Sequence, residues 1–137
     1  LALLLLTNVY WATRVNSLER QARDFVAVTQ SYGITLQVAD GTAHADGVVY
    51  AKPDSQLALL CVYALPQLEQ DQTYQAWLVR DGQRVSAGTF SVNHNGYGAL
   101  LIDADRPVGE YQQLGITVEP AGGSPAPTTP RVMGGDL

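Results

Sequence analysis

Beyond Gly33 the chain alternates apolar and polar residues, most clearly in Thr73-Tyr74-Gln75-Ala76-Trp77-Leu78-Val79-Arg80 and, past Asp81-Gly82, in Gln83-Arg84-Val85-Ser86-Ala87-Gly88-Thr89-Phe90. Asp-Gly best tolerates the positive φ angles of a two-residue hairpin turn, so the whole stretch predicts a β-hairpin. In its first strand Tyr74, Ala76 and Leu78 share one face, and Gln75, Trp77 and Val79 share the other. Large apolar groups on both faces predict an interior strand with both aromatics mostly buried. In the second strand Val85, Ala87 and Phe90 point inward if Gly88 takes up a one-residue bulge.

Before Gly33 the period is that of a helix. Val15, Leu18, Ala22 and Phe25, then Val28 or Tyr32, recur at spacings of three and four, and Tyr32-Gly33 supplies a C-terminal glycine. After it Ile34 to Val38 alternates, Asp40-Gly41 turns the chain, and Val48 to Ala51 forms a short strand. Leu57 to Ala64 reads as a central strand buried on both faces. Asn93-His94-Asn95-Gly96 reads as a second hairpin turn, after which Gly98 to Ile102 pairs back, and Leu114 to Glu119 is the last clear strand. Seven short strands with no helix among them predict an all-β fold, an antiparallel β-sandwich of immunoglobulin-like size. The Cys and Trp framework of antibody domains is absent, so the expectation concerns architecture and not lineage.

The opening run Leu1 to Trp11 is uncharged and mostly apolar, but shorter than the roughly 20 residues that cross a bilayer. Tyr10 and Trp11 suit the headgroup level and Arg14 follows in water, which predicts the exit half of a transmembrane helix. A buried helix end and the core of a signal peptide are the other readings of this run. The expected organisation is therefore a truncated transmembrane helix over residues 1–12, a juxtamembrane helix over 13–32 and a β-sandwich domain over 33–137. The helical stripe spans under three heptads, so its self-pairing into a homodimer is an expectation only beside a membrane anchor.

Charge and chemistry narrow the function classes. A net charge of −5 and only eight Lys plus Arg, none clustered, argue against nucleic acid as a partner. The lone Cys61 excludes an intrachain disulfide and a multi-thiolate zinc site, and its apolar surroundings predict a small buried hydrophobe. His44 and His94 fall in loops; Asp40, His44 and Asp46 lack the spacing of a zinc or calcium motif. Ser86 lacks the strand-elbow-helix context of a hydrolase nucleophile. The acid pairs Asp103 with Asp105 and Glu69 with Asp71 sit among turn residues, and no glycine-rich phosphate loop enters a helix. No residue is singled out as catalytic, cofactor-binding or metal-ligating. The expectation is a protein that is not an enzyme and carries no cofactor.

Four pieces in order carry a family resemblance: Leu65-Pro66, Tyr74-Gln75-Ala76-Trp77-Leu78, Ser86-Ala87-Gly88-Thr89-Phe90 and Val118-Glu119-Pro120-Ala121-Gly122-Gly123-Ser124-Pro125. Over roughly residues 45 to 137 the chain resembles the C-terminal, extracytoplasmic domain of the anti-sigma-K factor (RskA-type) family of bacterial membrane proteins. The resemblance implies a single-pass protein of the bacterial cell membrane, anchored through residues 1–12, with this domain outside. It implies a sigma factor partner, bound through a cytoplasmic N-terminal domain not in this chain, and release by a site-1 protease and an intramembrane protease. Composition alone makes Pro120 to Pro130 a mobile linker. The resemblance instead implies that this tail belongs to the domain, extended along it and anchored by Val132 and Met133. Two other readings compete: a membrane-anchored β-sandwich that binds a ligand, and a hydrolase on a β scaffold.

Overall fold

The computed structural model describes residues 32–39 and 44–137. Eight strands follow in chain order: β1 (Tyr32–Val38), β2 (Asp46–Ala51), β3 (Leu57–Tyr63), β4 (Gln72–Arg80), β5 (Gln83–Phe90), β6 (Gly98–Asp103), β7 (Gln113–Pro120) and β8 (Met133–Asp136). A single 3-10 turn, Val108–Glu110, precedes β7. All neighbouring strands are antiparallel, in the order β5-β4-β7-β8-β1-β2-β3-β6. The all-β expectation holds, and the count is eight because the tail itself contributes β8.

Two hydrogen-bonded layers result. β1 joins them, pairing with β2 through Tyr32 to Leu36 and with β8 through Gln37 and Val38. The inner faces meet over a core of Tyr74, Ala76 and Leu78 from β4, Leu114 and Ile116 from β7, and Met133 from β8. From the other layer come Leu36, Val49, Ala58, Leu60, Val62 and Ile102. Strict alternation accounts for this division, since every second residue of each strand faces the same way.

The hairpin forms as expected. Asp81 and Gly82 have φ of 51° and 76°, the two positive angles of a twist-matched turn. The ladder slips between Ala76 and Trp77, so that Gly88 faces Ala76, Ser86 faces Trp77 and Ala87 is the extra residue. Gly88, at φ 126°, takes part in the bulge as anticipated. Through the bulge Val85 comes opposite Leu78, on the same inward side as Phe90, yet it stays exposed because β5 is an edge strand of the sheet.

Four further expectations are corrected. Asn93–Gly96 makes its turn, with the Asn93 side-chain oxygen accepting from the N–H groups of Asn95 and Tyr97. It joins two layers, however: β6 pairs with β3, and β5 meets β6 through side chains, Leu100 reaching into the space beside Gly88. Asparagine and glycine allow the local bend whichever partner the next strand finds. Strand β3 is not buried on both faces, since Leu57 and Tyr63 on its outer side are exposed. Cys61 shares that outer side and is only half-buried, and partial burial pushes its thiol pKa up despite a hydrogen bond with Tyr63. Tyr32 belongs to β1 and does not close a helix. The expected transmembrane segment over 1–12 and the helix over 13–31 lie outside the described residues, and among the described residues no helix is long and apolar enough to cross a membrane.

The core and the outer face should respond differently to truncation. Leu60→Ala, at a position with 0% exposure, is expected to cost about 2–5 kcal/mol. Leu101→Ala, 62% exposed, should change stability by under about 0.5 kcal/mol. Urea unfolding of both variants checks this.

Candidate functional site

Trp77 is 1% exposed, yet it stands apart from the central core. It lies on the outer face of β4 with Gln75 and Val79, where the cross-strand register sets it beside Gly115 of β7 and Ser86 of β5. What covers it is the chain's own Pro- and Gly-rich segment, residues 121–132, laid back over the layer as a strap.

The strap begins with Gly122 and Gly123, at φ 89° and 84°, two left-handed residues that reverse the chain after β7. A side chain at Gly123 would also collide with the Gln75 amide, 2.9 Å from the place a Cβ would take. Gln75 then acts as a strand partner made from a side chain. Its Oε1 accepts from the Ser124 N–H at 2.8 Å, and its Nε2 donates to the Ser124 carbonyl at 3.0 Å and to Ser86 Oγ at 2.8 Å.

The second clamp is Glu119, buried to 1% exposure. The Trp77 indole N–H donates to Thr117 Oγ1 at 2.9 Å, and the Thr117 hydroxyl donates to Glu119 Oε1 at 2.6 Å. An indole can only donate and a carboxylate can only accept, so the direction of the intervening hydroxyl is settled. From the strap, the Thr128 N–H donates to both carboxylate oxygens, at 3.0 and 3.2 Å, and the Thr128 hydroxyl donates to Oε2. Burial by itself would raise the pKa of Glu119. The donors from Thr117, Thr128 and Ser124 outweigh it and bring the carboxyl down to about 2, so the group is ionised in the folded protein.

Past Thr128, Thr129 Oγ1 donates to the Val118 carbonyl at 2.8 Å, and the Val132 N–H donates to the Ile116 carbonyl at 2.8 Å. The strap thus ends in register for β8. The anchoring expected of Met133 is present at 0% exposure, while Val132 is partly buried.

Beside the strap a cleft of about 230 Å³ opens, lined by Trp77, Val79, Arg84, Gln113, Gly115 and Thr117 of the sheet and by Pro127, Thr129, Pro130 and Arg131 of the strap. The Arg131 stem lies across the facing pair Gly115 and Gly134, its Cδ 3.2 and 2.8 Å from where their Cβ atoms would stand.

The residues weighed from sequence are not brought together. His44 and His94 are exposed on separate loops, Asp46 is exposed at the start of β2, and Asp40 lies outside the described residues. Ser86 is occupied by Gln75. Asp103 ends β6, Asp105 accepts from the Tyr111 hydroxyl, and Glu69 caps a turn through its carbonyl. Among the described residues no group of His, Cys, Asp and Glu is placed to hold a metal ion. The clamp residues Gln75, Thr117, Glu119 and Thr128 were not singled out from sequence. The available signal was polar residues at alternate positions, Gln75 on the face of the central strand that also carries Trp77, and Thr117 with Glu119 in the last strand read from sequence.

Fold and site together define an antiparallel β domain whose outer face is closed by a strap of its own chain, clamped by a buried carboxylate. By sequence the chain belongs to the family of the C-terminal domain of the anti-sigma-K factor rskA, whose family model matches residues 1–132. A relative from Streptomyces griseus, described as an uncharacterized protein in the phr 5'region, is 28% identical over 116 residues. The alignment covers 85% of this chain and 48% of that relative, so the chain spans about half the length of the protein it matches. No solved structure matches.

The clamp makes stability depend on pH. Because the folded pKa, about 2, lies below the ordinary 4.5, the contribution of Glu119 is complete above pH 4.5 and is lost as pH falls toward 2. Glu119→Gln should cost about 1.5–3 kcal/mol at pH 7 and flatten that acid limb. Urea midpoints from pH 7 to pH 2.5 measure both effects. Gln75→Ala, which frees Ser124, should speed limited proteolysis within residues 121–131, with the cut mapped by mass spectrometry.

Proposed function

We propose that this is the extracytoplasmic regulatory domain of a membrane-bound anti-sigma factor, and that it governs release of an extracytoplasmic-function sigma factor through regulated proteolysis. The observation that carries the reading is family membership over nearly the whole chain, joined to a domain whose closure depends on a few polar clamps. The sigma factor would be held by a cytoplasmic segment N-terminal to this chain, with residues 1–12 as the end of the membrane anchor.

The mechanism is mechanical. The strap delivers β8, and β8 pairs with both β7 and β1. β1 is the first strand of the sheet and receives the chain that arrives from residues 1–31. Loss of the clamps loosens β8 and, with it, the end of β1, which favours local opening near the tether. Proteases act on locally unfolded backbone, so cleavage follows the population of the open form. A cut there, followed by one within the membrane, would free the sigma factor.

A second reading, a membrane-anchored ligand-binding module, is favoured by the cleft beside the strap. The two are compatible if occupancy of the cleft sets the opening of the strap.

In cells carrying the full-length protein, Trp77→Ala, expected to cost about 3–5 kcal/mol, should raise sigma-dependent transcription and cleavage of the anti-sigma factor. Reporter output and cleavage at the wild-type level, with the domain measurably destabilised, would sink the reading.

A further inference from the structure

Five cationic side chains belong to the described residues: Lys52, Arg80, Arg84, Arg106 and Arg131. Arg80 pairs with Asp81 and Glu110, and Arg106 with Asp105 and Glu110. Among the described residues, Arg84 and Arg131 are the two guanidinium groups with no carboxylate within 4 Å, and both line the one cleft beside Trp77.

That cleft contains no acid. Its other walls are apolar or neutral: Pro127, Pro130, Val79, the Trp77 ring and Gln113. Glu119, the nearest acid below Trp77 in the network, is saturated by its own donors, and Asp136 accepts from Gln113. Arg131 is also positioned: its stem rests on two facing glycines, a bed that any side chain would occupy. Paired guanidinium groups recognise planar oxyanions, and an arginine over an aromatic and proline wall suits an anion carrying an apolar part. At about 230 Å³ the space lies below the roughly 300–1,000 Å³ of drug-sized pockets, so the ligand is small.

We propose that this cleft binds a small organic anion, a carboxylate or a phosphate ester with an apolar arm, held between Arg84 of β5 and Arg131 of the strap. Such a ligand joins sheet to strap and holds the strap closed, because the open form lacks one of the two arginines. Binding to the closed form alone stabilises it by the factor 1 + [ligand]/Kd. The regulatory consequence rests on the function proposed above; the binding step does not.

The test uses the 137-residue chain, ¹⁵N-labelled and carrying Trp11→Phe so that Trp77 supplies the remaining indole signal. Benzoate, phenyl phosphate and the neutral benzyl alcohol are titrated in turn while the indole N–H resonance is followed. Benzoate or phenyl phosphate should shift it saturably, and the stronger of the two identifies the oxyanion. Arg84→Gln and Arg131→Gln should each weaken binding at least fivefold. Gly115→Ala, which displaces the Arg131 stem and keeps its charge, should weaken it as well. At ten times Kd, cleavage within residues 121–131 should slow about elevenfold. Equal shifts with benzyl alcohol, no saturation by either anion, or unchanged affinity in the arginine variants with well-dispersed spectra would each overturn the proposal. Binding with the expected arginine dependence, but with no ligand effect on sigma-dependent transcription in cells, would leave the site standing and count against the regulatory reading alone.

Discussion

A carboxylate out of water is costly unless donors replace the lost solvent, and the outer half of this domain is built around meeting that condition for Glu119. Thr117 approaches from the sheet and Thr128 from the strap, so the charge is satisfied only when the strap lies down. The indole of Trp77 completes the chain of donors from below. Hydrophobic burial of Trp77, the course of residues 121–132 and the placement of β8 are thus consequences of one arrangement. Gln75 repeats the logic with a neutral group, its amide standing in for the backbone of an absent strand.

The same arrangement reaches the far layer. β8 is four residues long and contributes one fully buried large side chain, Met133, but it is the piece between β7 and β1 in the sheet order. Without it the two layers would be joined by side-chain packing alone, as they are at the other margin, where Leu100 meets Gly88. Closure of the sheet therefore depends on a segment whose own composition favours extended, solvated chain. Such a dependence ties the seating of β8 to the few polar clamps that hold the strap down.

The outer faces of the two layers differ in kind. On the β4 and β7 side the exposed surface is polar, strapped and bordered by the arginine cleft. On the β3 and β6 side Leu57, Tyr63, Tyr97 and Leu101 are exposed, with Tyr63 and Tyr97 packed edge to face at 5.6 Å between ring centres. Alternation in β3 was too apolar to reveal which face was inward, and so both seemed buried. The exposure of Val85 has a related cause, because alternation tells which side of a strand a residue faces and not how far the opposite layer reaches over an edge strand.

Period-two alternation and turn residues were enough to specify the strands, the Asp81-Gly82 hairpin and the bulge near Gly88, since each follows from backbone sterics and local burial. The family could be read for the same reason that its motifs are separate in sequence: Gln75 with Trp77, and Glu119 with Gly122, Gly123 and Ser124, are the two halves of one clamp. What only the tertiary structure decided was that those halves meet, that a proline-rich tail becomes strap and eighth strand, and that Asn93–Gly96 spans two layers. It also decided that two arginines 47 positions apart share one cleft. Contacts between distant segments depend on register and layer packing, and local propensity carries no record of either.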